Sequence, residues 1–448
     1  MTKNPAHLRQ WMAATIASMS LLITGMFLGW PSPTISKLRA HDTPLTLTGS
    51  EVSWMISLLY VGSVVSPLPG GVLMDRWGRH TSLQVCSFLA LSSWLFLTFS
   101  TDVTCLYISR ILGGMWGGIS YCITPVYLSE IAEPRIRGAL NTMFTLMVYL
   151  GIMFEYCIGP VISYNLLSII SACIPLLYFL LMFIIPESPY YFVMRQRNQE
   201  ARETLVWLRC TRDVDEELEA ISKAVKSDMK NKGRVQDLVR TSGSRRALFM
   251  AEVAAFLQRM SGSSVMMAYI STSVPQDGVV SGDQCAVIMC SIWLVFGVWS
   301  TFLVDRLGRR PLLAFSCIGC AIATAGLTVW FILSSNPSLD VTSYTAVPLI
   351  CFALYALFFP FGLACIPSII QGELFPSNLK GLASGITAIV VASLSFISNK
   401  LYQPLSDMMG MYINYLYFTI CSAYGIYFAL CTLLETRNKT LQQIQEEL

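Results

Sequence analysis

Apolar runs of about twenty residues, separated by short polar turns, recur along the whole chain. They fall at about 11–30, 51–74, 81–100, 104–127, 139–160 and 164–185, then at 247–271, 284–304, 311–334, 344–371, 379–402 and 411–433. A helix of that length crosses the roughly 30 Å hydrocarbon core of a bilayer, so the pattern predicts twelve transmembrane helices. Between the two sets of six, residues 187–246 hold 23 of the chain's 57 charged residues. Amphipathic spacing in that stretch predicts short helices at 199–208 and 214–225, outside the membrane. The expected organisation is an all-α membrane protein: a six-helix bundle at 1–186, a cytoplasmic connector at 187–246, a second bundle at 247–433 and a polar tail at 434–448.

The polar turns repeat in step. Asp75-Arg76-Trp77-Gly78-Arg79-His80 returns 230 residues later as Asp305-Arg306-Leu307-Gly308-Arg309-Arg310. Glu130-Ile131-Ala132-Glu133-Pro134-Arg135-Ile136-Arg137-Gly138 has its counterpart in Glu373-Leu374-Phe375-Pro376-Ser377-Asn378-Leu379-Lys380-Gly381, and Pro186-Glu187-Ser188 in Leu434-Glu435-Thr436. Three landmarks in one order across two halves indicate a duplication, a common plan among transporters. Glycine at 78 and 308 lets the backbone reverse, while the arginines stay in water.

Composition supports the membrane reading: 54% of the residues are hydrophobic and 13% charged, against about 25% charged in soluble domains. Lysine and arginine concentrate in alternate loops, in the connector and after the last span, so by the positive-inside bias both termini are expected in the cytoplasm. The net charge of +3 and the absence of a basic arm exclude a nucleic-acid partner as an expectation. Most of the fourteen cysteines lie inside apolar runs and read as packing residues, and Cys317 and Cys320 have no histidine near them, so no metal, cofactor or catalytic group is expected. No Walker-type loop is present, which argues against an ATPase.

Several motifs together resemble the sugar porters of the major facilitator superfamily. They are Gly70-Gly71 with Asp75-Arg76-x-Gly78-Arg79; Arg110 with Gly113 to Gly118; Pro125-x-Tyr127-x-x-Glu130; Pro186-Glu187-Ser188-Pro189; Gln258 with Ser261-Gly262; Asp305-Arg306-x-Gly308-Arg309-Arg310; Glu373-Leu374-Phe375-Pro376; and Glu435-Thr436. Leu28-Gly29-Trp30-x-Ser32-Pro33, Ser53-Trp54 and the ending 435–444 resemble the insect branch that contains facilitated trehalose transporters. The resemblance implies the major facilitator fold at a plasma membrane, a carrier working as a monomer among lipids, and alternating access for a trehalose- or hexose-class sugar. It also implies that Asp75, Arg79, Glu130 and Arg137, with Asp305, Arg309, Glu373 and Lys380, form a charge network clamping the inner helix ends when the carrier faces outward. The chain departs from the family at substrate positions: Arg259 replaces a second glutamine, Ser264 an asparagine, Thr145 a glutamine, and Cys365-Ile366-Pro367-Ser368 lacks the usual tryptophan.

A sugar needs donors and acceptors to replace its water, and Gln258, Ser261, Ser264, Thr145 and Tyr269 supply them within apolar spans. Arg259 is the sixth candidate. A charge at mid-span costs about 2.5 to 3.5 kcal/mol on insertion scales, so it should face water, a substrate or an acid such as Glu252. The breaks at Gly262 and Pro367 are read as lining a cavity, and Gly113 to Gly118 as close packing. The first span holds no ionisable residue from Trp11 to Trp30, which favours uniport, whereas Glu155 in the fifth keeps a proton-coupled symporter open. A carrier for a polyol or glycoside and a transporter-like nutrient sensor are the other readings. The topology is testable directly: an epitope inserted within 187–246 should be reachable by antibody only after cells are permeabilised, and labelling of intact cells would overturn the twelve-span arrangement.

Overall fold

The computed structural model describes residues 5–39, 45–133, 136–230, 235–274, 280–336, 344–437, 439 and 441–447. Its described residues are helical, without a strand. Twelve helical spans follow one another: Pro5–Gly29; Gly49–Val65 with Pro67–Trp77; Arg79–Thr98; Val103–Ile131; Arg137–Ile158; Tyr164–Met182; Ser242–Met260 with Ser263–Ser273; Gly282–Leu307; Arg309–Ser334; Ala346–Phe358 with Ile366–Leu374; Ser377–Met409; and Tyr412–Tyr427. Eight of them are each long and apolar enough to cross a bilayer, and the second span passes as a pair bent by 45° at Ser66. The fourth, fifth and seventh do not pass on length and apolarity: the seventh is divided at Gly262, and the fourth turns Ser109, Arg110, Ser120 and Thr124 into the protein instead of lipid.

Three features differ from the sequence reading. The seventh span begins at Ser242 rather than 247, because Thr241 caps it by accepting the Ser244 N–H at 3.1 Å. A short helix, Pro31–Arg39, follows the first span where a loop was expected. The tenth span opens into a 3₁₀ turn at Phe359–Phe361 before Ile366–Leu374 resumes. Its freed Leu363 and Ala364 carbonyls accept from Gln258 Nε2 at 3.0 and 2.9 Å, so the break is satisfied by the seventh span rather than by lipid.

Between the two sets of spans lie helices Pro189–Met194, Asn198–Arg209, Asp215–Lys230 and Asp237–Arg240. Val193, Ala201, Leu205, Val214, Ile221 and Val225 give them a small core of their own. Arg209 ties this layer to the first six spans, donating to the Ile131 carbonyl at 3.0 Å and pairing with Glu217 at 2.7 Å. Arg9 stacks on Trp207 and donates to its carbonyl.

Close packing dominates where glycines cluster. A Cβ on Gly114 would run into the Leu59 carbonyl, so the fourth span lies against the second backbone to backbone, as the small-residue face of 113–118 predicts. The turns at Gly78 and Gly308 have φ of +100° and +94°, the left-handed region that L side chains avoid. A side chain there would also meet the carboxylates of Glu187 and Glu435. Gly78→Ala should therefore lower the stability of the detergent-purified protein by about 1–3 kcal/mol through backbone strain, read as a fall in melting temperature; an unchanged melting temperature would mean the turn relaxes at no cost.

Candidate functional site

The repeated turns build the same knot twice at the face that carries the connector helices. In the first half Glu187 accepts the N–H groups of Arg79 and His80, both at 2.9 Å, and of Thr81 at 3.2 Å, capping the third span where its dipole is positive. Next to it, Ser188 donates to Glu130, and Glu130 pairs with Arg79 at 3.0 Å. In the second half Glu435 accepts the N–H groups of Arg309 and Arg310, both at 3.0 Å, Thr436 Oγ1 donates to Glu373 at 2.5 Å, and Glu373 pairs with Arg309 at 2.7 Å. Burial pushes the Glu435 carboxyl up, but the N–H groups of Arg309, Arg310 and Arg437 outweigh it and hold it below the usual carboxylate value. The acids at 187 and 435 were signalled by the paired spacing of the two halves and by the Pro186-Glu187-Ser188-Pro189 and Glu435-Thr436 motifs, but their role as helix caps was not.

Each knot stays within its own half. Glu130 and Glu373 engage Arg79 and Arg309, and Lys380 stands exposed beyond Glu373 instead of pairing with it. Asp75 is 57% exposed and 4.0 Å from Arg79, a weak pair. The side chains of Arg137 and Asp305 lie outside the described residues.

At the opposite end the two halves meet. Ser32 and Ser271 bond to each other at 3.1 Å, with a second bond from Ser271 to the Ser32 carbonyl. Tyr156 donates to the Met267 carbonyl at 2.6 Å, Ser53 to the Lys400 carbonyl at 2.9 Å, and Arg39 to Gln403 at 3.2 Å. The Lys400 ammonium sits 3.9 Å from the centre of the Trp54 ring. Tyr269 is buried here, its ring centre 4.5 Å from that of Tyr402 and tilted to it by 39°, with its hydroxyl unpartnered.

Between these ends runs a polar seam. Arg259 stands in the seventh span, one residue after Gln258, and its charge acts on Tyr60, Tyr121 and Tyr149 of the first half and Tyr355 of the second. Its Nε is buried and has no partner. The expected pairing with Glu252 does not occur, since Glu252 accepts instead from Thr387 at 2.7 Å. Tyr60 reaches across towards Asn399 and Ser264, and the Ser264 Oγ and Asn399 Oδ1 are themselves buried without partners. Ser261 donates to the Gln258 carbonyl and lies 3.5 Å from the Tyr355 hydroxyl. Thr145 and Tyr149 line a crevice against Leu294 and Gly297 of the eighth span.

The structure thus brings Gln258, Arg259, Ser261 and Ser264 together around the break at Gly262, whose φ is +99°. Thr145 sits one turn from Tyr149 on the facing half, and Tyr269 belongs to the exterior closure. Gln258 has spent its amide N–H groups on the tenth span, so only its carbonyl oxygen is left for a solute. Four tyrosines and Asn399 escaped the sequence reading. A tyrosine inside an apolar run looks like an interfacial or packing residue until its facing partner is known.

Glu155 is fully buried near the exterior end of the fifth span. Its Oε1 accepts from Ser171 at 2.8 Å, its Oε2 has no partner, and Arg110 is its nearest cation. Arg110 spends Nε on the Met55 carbonyl and Nη1 on the Phe27 carbonyl, both at 3.1 Å, and lies over Trp30.

This architecture, two six-span halves meeting at a polar seam with a knot beneath each, is that of a major facilitator transporter. Residues 9–448 match the family described as sugar (and other) transporters, and the chain belongs to that family. It is 28% identical over 454 residues to the facilitated trehalose transporter Tret1 of Drosophila virilis, covering 100% of this chain and 50% of that one. To Tret1 of Apis mellifera ligustica it is 27% identical over 441 residues, covering 97% and 87%. The chain spans about half the length of the Drosophila relatives it matches. Among solved structures, the partially occluded inward-open xylose transporter XylE of Escherichia coli superimposes with a TM-score of 0.80 at 20% identity, over 96% of this chain and 99% of that one. The proton:xylose symporter XylE bound to 6-bromo-6-deoxy-D-glucose gives 0.78 at 19% identity, over 98% and 99%.

Glu130 and Arg79 are 11% and 6% exposed, whereas Glu373 is 28% exposed. Removing one partner of a buried pair leaves the other charge uncompensated, at about 3–5 kcal/mol. Glu130→Gln should approach that range and Glu373→Gln should fall clearly short of it, measured as thermal shifts of the purified protein. Equal shifts for the two variants would show that exposure does not set the strength of these pairs.

Proposed function

We propose that this chain carries a sugar-class solute passively across the plasma membrane by alternating access, with both termini in the cytoplasm. The observation that carries the reading is the asymmetry of its polar contacts. Hydrogen bonds join the two halves at the exterior end, while the cytoplasmic knots are each closed within one half around a polar seam. That is an inward-facing arrangement, in which the solute leaves between the knots and the exterior contacts must break for the next one to enter. The acids of the knots, already positioned at helix ends, are the groups through which the halves approach when the carrier turns outward. Gln258, Arg259, Ser261, Ser264 and Thr145 face the solute, and Tyr269 acts at the exterior closure.

Passive transport is supported by the first span, which lacks ionisable residues from Trp11 to Trp30. The related XylE protein is titled a proton:xylose symporter, and Glu155 is the group here that favours such coupling. Initial uptake at fixed external pH should be unchanged by an uncoupler, and no accumulation above the external concentration should occur. Accumulation that collapses with the uncoupler and is lost in Glu155→Gln would replace this reading with symport.

A further inference from the structure

We propose that the solute this carrier is built for bears one carboxylate, and that Arg259 is the residue that binds it. The inference rests on the reading of the chain as a carrier and names the chemistry of its substrate. Arg259 lies at the break of the seventh span, and its charge is felt by Tyr60, Tyr121, Tyr149 and Tyr355 on other spans. Its side chain makes no hydrogen bond or ion pair with any described residue, and its Nε is shut away from solvent.

No ion pair holds this cation among the described residues of the spans. Arg110, a second guanidinium inside the bundle, is held by two backbone carbonyls, an aromatic face and the nearby Glu155. Glu155 is itself bound to Ser171 of the sixth span. Glu252 stands seven residues before Arg259 on one continuous helix, about 10 Å away at 1.5 Å per residue. Its Oε1 accepts from Thr387 of the eleventh span and its Oε2 has no partner, so its charge stays out of contact with Arg259. A guanidinium needs acceptors and has none to give in return, whereas the tyrosine hydroxyls that feel its charge both donate and accept. Those hydroxyls suit the hydroxyls of a sugar. The positive charge suits an anion, because the Nη edge of a guanidinium offers two parallel N–H groups that match the two oxygens of a carboxylate.

One unpaired cation balances one negative charge. A phosphate dianion would bring a second charge with no cation to meet it, and a neutral hexose or disaccharide would leave the guanidinium facing hydroxyls only. The favoured class is a uronic-acid-like sugar: a polyhydroxylated ring with a single carboxylate. Replacing glutamine by arginine at this position converts the seam from a site for neutral sugars into one for a monoanion.

The test uses the full chain reconstituted in vesicles, with D-glucuronate and D-glucose as matched probes at pH 7. Glucuronate should exchange at least roughly tenfold faster than glucose at equal low concentration, the ratio that one well-placed charged contact supplies. A membrane potential negative inside should slow glucuronate entry and leave glucose unaffected. Arg259→Gln should lower the glucuronate-to-glucose ratio by roughly tenfold or more, and Arg259→Lys should retain most of it. Glucose moving as fast as glucuronate in the native protein would overturn the inference while leaving the carrier reading intact, and so would an unchanged ratio in a reconstituted Arg259→Gln protein that still transports. Transport of neither probe would defeat both.

Discussion

The structure depends on burying arginine at the helix ends beside the connector without leaving its charge unmet. Arg79 and Arg309 are 5% and 8% exposed, at the lower edge of two bundles whose other surfaces face lipid. Each is held by a glutamate from the next long helix of its half, and each begins a helix whose first N–H groups are capped by a second glutamate. The two acids do different jobs. One balances the side-chain charge, the other satisfies backbone groups that lipid cannot, and the intervening serine or threonine joins them. Because the turn glycines leave no room for a side chain beside the capping acids, the whole knot is fixed as a unit.

The opposite end of the bundle is closed by weaker contacts. There the halves are joined by serine to serine and tyrosine to carbonyl, and by two cations on neutral partners, Arg39 on Gln403 and Lys400 over an indole ring. Neutral hydrogen bonds are worth about 0.5–1.5 kcal/mol each, less than the ion-paired bonds of the knots. The helix breaks at Gly262 and at 359–365 fall between the two ends, where flexible backbone meets the polar seam.

Twelve spans and two halves were legible in the chain because each rests on local or periodic properties. Span length, charge position and the repeat of Asp-Arg-x-Gly-Arg need no knowledge of neighbours. Arg259 was also legible as an anomaly, since a mid-span charge is costly wherever it points. The bend at Ser66 was not, because Ser66-Pro67 sits in sequence that remains apolar on both sides, and the prolines that marked a break in the tenth span did not show that Gln258 would satisfy it.

By itself the sequence determined the membrane, the duplication and the residue types available for a solute, all consequences of what hydrocarbon excludes and of what repeats in order. Tertiary structure alone decided the partners. It gave Glu130 to Arg79 and Glu373 to Arg309, spent the Gln258 amide on the tenth span, turned Glu252 to Thr387, and left the Arg259 Nε buried without a partner. The physical reason is that a helix fixes only which face a residue occupies. Which charge or hydroxyl stands opposite depends on how distant helices pack.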